Sequence, residues 1–581
     1  MASSVITNEE IAKILREIGE YLDMEGEAFK PRAYEKAAEA VETLAEEVGV
    51  IYKKDGLKAL ENIPGFGVSI AEKVEELIKT GRCRYYEQLK KKTPVNLGEL
   101  SAVEGLGPKN IKRLYQELRI KNLKDLEKSA RAGKIKNLEG FGEKSEENIL
   151  RGIEFLKQSG GRFVLGLIMP EINAIADQLR SLKEVKKLEV AGSVRRWKET
   201  IGDVDILVIS EKPKAVMAFF ISLPQVARVF AHGETKSAIK LKNGMDVDLR
   251  VVPENSYGAA LNYFTGSKDH NVALREIAIK KGYKLNEYGL FRGKKPIAGK
   301  TEKEIYGALG MDYIKPEMRE MTGEIELAQK HNLPKLLDYG DIRGDLQVQT
   351  NWTDGVNSIE EMAMAAMSRG LEYIVITDHT KRLAMTGGLD EKRILKQMKE
   401  IDNLNSKFKK QNMKFNILKG TECDILKDGS LDLPDEILEK LDVVGVSVHS
   451  LFNLSRKEQT ERIKKAMNNP NVDIIFHPTG RLIQRRAAYD LDMSEIVQEA
   501  KKTGTILEID ASPERLDLRD QHIRMCVEAG VKMSIDSDAH SISHFDFIEY
   551  GIAQARRGWC TKNDIINAWP VEKMLSFLKN K

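Results

Sequence analysis

The chain has 581 residues, of which 41 % are apolar and 31 % charged. At about 150 residues per domain there is room for three to five domains, and this balance excludes collagen, a coiled-coil rod and wholesale disorder. Its four cysteines, Cys83, Cys423, Cys526 and Cys560, are scattered with no CxxC pair, which excludes a zinc ribbon or disulfide framework and fits a reducing cytoplasm.

The formal net charge of +3 argues weakly against a polyanion partner, but it hides a gradient. Residues 1–50 hold 5 basic and 12 acidic side chains, and residues 51–200 hold 31 and 21. Residues 201–340 hold 21 and 18, and residues 341–581 hold 35 and 38. The second block is basic enough to attract phosphates. No basic stretch followed by an apolar one opens the chain, so no signal peptide is expected. The longest apolar runs, such as 373–377 and 443–448, suit buried strands and are far too short for a bilayer.

The first 155 residues read as short helices separated by glycine turns, and one pattern occurs three times. Ile63-Pro-Gly65-Phe-Gly67, Val103-Glu-Gly105-Leu-Gly107 and Leu138-Glu-Gly140-Phe-Gly142 each precede a helical stretch. Glycines permit a tight turn, and the N–H groups of the next helix then face an incoming phosphate. Such helix-hairpin-helix units bind a DNA backbone without reading its sequence.

From Phe163 onward strands alternate with helices. Gly192-Ser193 follows the strand candidate 188–190 and precedes the basic cluster Arg195-Arg196-Trp197-Lys198. Asp203 and Asp205 open the next strand, whose apolar candidate is 206–209, and a period of two puts both carboxylates on one face. Asp248 lies in another strand, 247–252. Three converging carboxylates suit two Mg²⁺ ions, one activating an attacking hydroxyl and one stabilising a leaving pyrophosphate. Ser193 and Arg196 stand where a triphosphate would be gripped.

After a polar helical stretch, short apolar strands recur from residue 341, each followed by a helix. This predicts a parallel α/β array, either open or closed as a barrel. Six of the nine histidines lie here. His379, His449, His477 and His540 end or follow strands, and Glu422 is placed after another. Histidine and carboxylate side chains at strand ends are the donor set of a multinuclear hydrolytic metal site.

The segments 192–207, 233–237 and Tyr263-Phe-Thr-Gly-Ser267 resemble the signatures of family X DNA polymerases, the DNA polymerase β group. The resemblance implies a fold in parts. These are an N-terminal lyase-like helix-hairpin-helix domain (1–85), a fingers-like domain with two further hairpins (86–155), a nucleotidyltransferase palm (156–255) and a thumb (256–325). A linker (326–340) would lead to the last domain (341–581). It also implies that Asp203, Asp205 and Asp248 bind two Mg²⁺ or Mn²⁺ ions, with Asp248 activating the primer hydroxyl. Gly192, Ser193, Arg196, Tyr263, Phe264, Gly266, Asn271 and Arg275 would surround the deoxynucleoside triphosphate. Lys73 matches the lysine that forms a Schiff base with 5′-deoxyribose phosphate, and Lys30 and Tyr34 match 5′-phosphate contacts. Two departures stand out: Ser69 replaces a phosphate-pocket lysine, and Trp197 replaces a glycine.

Residues 341–559 resemble the PHP domain (polymerase and histidinol phosphatase), which implies a distorted (βα)₇ barrel holding three Mn²⁺ or Zn²⁺ ions and acting as a 3′→5′ exonuclease or phosphoesterase on DNA. Matching ligands are Asp354, His379, Glu422, His449, His477, Asp538 and His540. The family's His-x-His is Gln347-Val-Gln349 here. A neutral amide is a poor replacement for imidazole on a borderline metal, so one ion position is expected to be weak or empty and the nuclease impaired. The expected protein is a monomeric, cytoplasmic DNA polymerase that fills gaps in base excision repair, with primer-template DNA as partner and no membrane. Two other readings remain: a PHP phosphoesterase that uses the N-terminal half to hold DNA, and a non-catalytic DNA-end-binding module.

Overall fold

The computed structural model describes residues 6, 8–42, 44, 47–63, 65–101, 103, 106–158 and 161–580. Apolar residues at helical spacing build the N-terminal part. Ile11, Leu15, Ile18 and Leu22 share one face of the helix Asn8–Glu25 and are buried. Their cluster continues through Leu77, Leu100, Ile111 and Leu126 to Ile153. The N-terminal helices and the three hairpins therefore share one core.

A five-stranded sheet follows. Its order is Lys187–Val190, Asp203–Ile209, Asp246–Val251, Lys236–Leu241, Val226–His232. The strands at 203 and 246 run parallel, and the other neighbours are antiparallel. Val204, Ile206 and Val208 point into a core with Ile172 and Ile175 of the helix Leu165–Arg180 and Phe220 of the helix Pro213–Ile221. That inward set forces Asp203 and Asp205 onto the opposite face.

The next part packs the helices Tyr257–Thr265, Lys268–Lys280 and Glu302–Ala308 with a small antiparallel sheet. Glu302 ties it to the preceding sheet. Its carboxylate takes both guanidinium nitrogens of Arg195, at 3.0 and 2.7 Å, and the buried Arg319 at 2.7 Å. Burial would raise the Glu302 pKa, but Arg319 and Arg195 outweigh it and hold it at about 2.

The last domain has seven parallel strands in sequential order. They run from Gly344–Val348 through Tyr373–Ile376, Asn416–Asp424, Val443–Ser447, Ile474–Ile475 and Ile506–Asp510 to Met533–Asp536. A parallel bridge from Val348 to Ala539 joins last to first, and the Gln349 N–H donates to the Ala539 carbonyl at 2.8 Å, so the array closes as a barrel. Tyr373–Ile376, Val443–Ser447 and Ile474–Ile475 are wholly buried and mostly apolar, as strands covered on both faces are, while the first, third, sixth and seventh strands carry buried polar side chains among their apolar ones. Glu422 lies inside the third strand rather than after it.

The barrel is docked on the palm-like sheet and the thumb-like part. Arg556 pairs with Glu317 at 2.8 Å and Arg481 with Glu199 at 2.8 Å. Trp559 enters the thumb-side core, and Val164 packs with Ile483 and Leu516. Among the described residues no helix is long and apolar enough to cross a membrane.

Candidate active sites

The carboxylates predicted from the sequence come together. Register pairs Asp205 with Asp248 across the parallel strands, and Asp203 with Asp246. Burial, and then the charges of Asp203 and Asp248, lift Asp205 to about 6. Crowded carboxylates of this kind are the donor set for hard divalent cations, whose charge relieves the repulsion. Asp246 could not be told from Asp248 by spacing alone. In the fold each has a lysine, Lys240 at 2.6 Å from Asp246 and Lys236 at 3.2 Å from Asp248, and it is Asp248 that lies opposite Asp205 and acts on its carboxylate.

Gly192 begins the short helix Gly192–Arg195 with φ +64°, and a Cβ there would lie 3.1 Å from Asp205 Oδ2. The residue type is thus required twice, by backbone conformation and by close approach to a carboxylate. Ser193 is next on this loop and half-buried. Arg196 donates from Nε to Glu320 at 3.0 Å and from Nη1 to the Thr265 carbonyl, which brings it against Gly266. Tyr263, Asn271 and Arg275 line a pocket with Asn262, Leu285 and Asn286. Asn271 Nδ2 donates to the Tyr263 carbonyl at 2.7 Å, and its Oδ1 is buried without a partner. Phe264 packs edge-on to Tyr263 and lies under the Arg250 guanidinium.

In the helix-hairpin-helix region, Gly65 and Gly140 have φ +82° and +83°. Gly67 and Gly107 precede the helices Val68–Thr80 and Pro108–Leu118, and Gly142 precedes Glu143–Gln158. A Cβ at Gly67, Gly107 or Gly142 would meet nothing within 4 Å. That open space faces first-turn N–H groups which have no intrahelical acceptor. Gly105 lies outside the described residues. Lys73 Nζ donates to the Ser69 carbonyl at 2.9 Å and hydroxyl at 2.8 Å, and stands 4.9 Å from the Tyr85 ring and 6.0 Å from that of Tyr34. Tyr34 is buried, and Lys30 is exposed and paired with Glu27 at 3.0 Å. Sequence reading missed Tyr85, which lies between these groups.

The barrel brings its predicted ligands to the C-terminal ends of the strands. Two groups have ligand atoms within 4.8 Å of one another: Asp354, His379 and His540, and His379, Glu422 and His449. His477 Nε2 meets Glu422 Oε1 at 2.8 Å. Asp538 stands beside His540, 3.8 Å from Oδ1 to Nδ1, and Arg515 approaches its other oxygen at 3.7 Å. Asp354 Oδ1 and His477 Nδ1 are buried without a hydrogen-bond partner. These donors fit divalent metal ions. Burial opposes charge on His449, but Asp424 and Glu422 outweigh it and lift its pKa to about 9. Asp424 was missed by the sequence reading, although Glu422-Cys-Asp424 has the period of two that puts both on one face.

The two glutamines occupy the same end. Gln349 Nε2 donates to Glu422 Oε2 at 2.8 Å. Gln347 is fully buried with neither amide atom hydrogen-bonded.

Comparison with known proteins agrees with this division. The DNA polymerase beta thumb family matches residues 260–320, and a helix-hairpin-helix domain family matches residues 6–83. DNA polymerase/3′-5′ exonuclease PolX of Bacillus subtilis (strain 168) is 37 % identical over 575 residues, covering 98 % of this chain and 99 % of that one. A probable phosphatase of Thermoanaerobacter sp. (strain X514) is 30 % identical over 236 residues, 39 % of this chain and 89 % of its own. DNA polymerase lambda of Rattus norvegicus is 25 % identical over 343 residues, 54 % of this chain and 56 % of its own. Helix-hairpin-helix units, a sheet with paired carboxylates, a thumb and a barrel with clustered metal donors define a DNA polymerase joined to a phosphoesterase-type domain. The chain belongs to the family X DNA polymerases, in the PolX group that carries a PHP domain.

Proposed function

We propose that the chain is a template-directed polymerase that fills short gaps in DNA during base excision repair, as a cytoplasmic monomer. The observation that carries this reading is the lateral pairing of Asp205 with Asp248, with Asp203 on the same face two residues away. Mg²⁺ or Mn²⁺ held by these three would supply Lewis acidity to the attacking oxygen and offset charge on the leaving pyrophosphate. Asp248 takes the proton from the primer 3′-hydroxyl. Ser193 and Arg196 hold the triphosphate, the Tyr263–Arg275 pocket holds base and sugar, and the hairpins hold the backbone on both sides of the gap. Primer extension on one-nucleotide-gapped DNA tests the reading. Asp203→Ala and Asp248→Ala are each expected to lower incorporation by at least about a thousandfold, and full activity in either would overturn it.

Lys73 is the nucleophile of an accompanying lyase activity, supported by its place among Tyr34, Tyr85 and Ser69. Borohydride should trap the chain on 5′-deoxyribose-phosphate DNA and should fail to trap Lys73→Ala. The barrel's donors support a second activity, removal of 3′ nucleotides with Mn²⁺ or Zn²⁺, weakened by Gln347 and Gln349.

A further inference from the structure

The loop that carries Arg196 does not end in solvent. It is wedged between the palm and the barrel, and three cations there share one carboxylate. Arg196 Nε lies 3.0 Å from Glu320 Oε1. Arg557, the last residue of the barrel helix Ile548–Arg557, reaches the same oxygen at 3.2 Å. Lys198 Nζ lies 3.8 Å from Glu320 Oε2. Arg557 also donates to the Arg196 carbonyl at 2.8 Å, and its other nitrogen pairs with Asp520. The Arg557 side chain is only 2 % exposed, so it cannot leave this cluster for water. Against three positive charges stand the two carboxylates Glu320 and Asp520.

We propose that Arg557, a barrel residue outside both active sites, is a positioning residue for nucleotide binding in the palm. It fixes the loop through the Arg196 carbonyl and competes with Arg196 for Glu320. The inference rests on the reading that Arg196 grips the triphosphate. To do so Arg196 must leave Glu320, and a half-buried carboxylate that loses a partner among its neighbours is destabilised. Arg557 keeps Glu320 paired at that moment, so it lowers the cost of releasing Arg196. Without Arg557 the carboxylate holds Arg196 more tightly.

Opposite signs follow for two variants of the full-length protein on gapped DNA. Arg557→Gln should raise the nucleotide KM about tenfold with kcat changed less than about threefold. Glu320→Gln, which removes the competing charge at the same shape, should lower KM or leave it unchanged, and the double variant should fall back toward the parent. Arg557→Lys should recover part of the lost affinity, since it keeps charge near Glu320 but loses the fork. A packing role alone would raise KM in both single variants and lower their melting temperatures together. That outcome, or an unchanged KM in Arg557→Gln, overturns the proposal. An unchanged KM in Arg196→Ala removes Arg196 from the nucleotide site and the proposal with it. A parent protein that incorporates no nucleotide at all sinks the polymerase reading itself.

Discussion

Gln349 shows how one side chain changes the chemistry of a whole pocket. An imidazole would offer a lone pair to a cation at this position, but the amide N–H₂ of Gln349 presents its positive end to Glu422. The carboxylate oxygen it occupies is then no longer available to a third ion. Gln347 is buried beside it with both amide atoms unpaired, a state that costs roughly 1–3 kcal/mol for each group left unsatisfied. The Asp354–His379–His540 group is untouched by these changes, and in the His379–Glu422–His449 group Glu422 keeps its other oxygen, Oε1, clear of Gln349. The barrel should therefore bind two ions, not three. In a full-length chain carrying Asp203→Ala and Asp248→Ala, so that the palm contributes none, metal analysis after Mn²⁺ loading should give about two ions per chain. Adding Gln347→His and Gln349→His should raise this to about three and speed 3′ nucleotide release. Three ions bound with both glutamines in place would contradict a two-ion barrel.

At the scale of elements, the hairpins separate two jobs that glycine does. Gly65 has φ +82°, and its Cβ would also come within 3.4 Å of the Lys36 carbonyl oxygen. Gly67 has an ordinary extended backbone, φ −88°, and open space where a Cβ would project. Gly65→Ala should therefore cost about 1–2 kcal/mol of stability by strain. Gly67→Ala should fold as well as the parent yet, if the hairpin holds DNA as proposed, bind DNA several-fold more weakly, because its methyl would fill the open space before the helix N-terminus where a phosphate oxygen would approach. Thermal melts paired with fluorescence anisotropy on gapped DNA distinguish the two, and equal behaviour would sink the assignment. These elements were legible in the sequence because their signals are local: glycine spacing for the hairpins, a period of two for Asp203 and Asp205, apolar runs for the barrel strands. Clusters assembled from remote segments were not legible. Glu302 meets Arg195 across 107 residues, and Arg557 meets the Arg196 carbonyl across 361, with no spacing rule to link them. Asp246 and Asp248 share one strand and one face, and only the register of the folded sheet, which sets Asp248 opposite Asp205, tells them apart.

At the scale of the whole molecule, the charge gradient of the sequence has two outlets. Part of it is neutralised internally: Asp23 lies 3.7 Å from Lys109 and Glu25 lies 3.4 Å from Lys112, so acidic groups of the first helix pair with lysines of the second hairpin. Another part lies on the Arg195–Lys198 loop, where palm, thumb and barrel meet and where Glu302 and Glu320 pair its cations. Trp197 is the hinge of that junction. It adopts φ +52°, a conformation that favours glycine, and its ring packs edge-on against Tyr550 of the barrel at 5.7 Å and at a tilt against Tyr339 at 6.2 Å. A bulky residue held at positive φ is retained only where its contacts outweigh the strain, which is of order 1–3 kcal/mol. Trp197→Gly relieves the strain and removes the aromatic contact together. Loss of the contact outweighs relief of the strain, because truncating a packed Trp costs about 3–5 kcal/mol, leaving a net loss of about 2 kcal/mol. That loss falls partly on the palm core, against which Trp197 also packs, and partly on the contact with the barrel. In calorimetry the variant should therefore show the barrel and the polymerase core melting as two separated transitions where the parent shows them coupled. Trp197→Phe, which keeps a ring against Tyr550, should retain most of the coupling. Unchanged coupling in Trp197→Gly would mean that the ion pairs Arg556–Glu317 and Arg481–Glu199 hold the two halves together on their own.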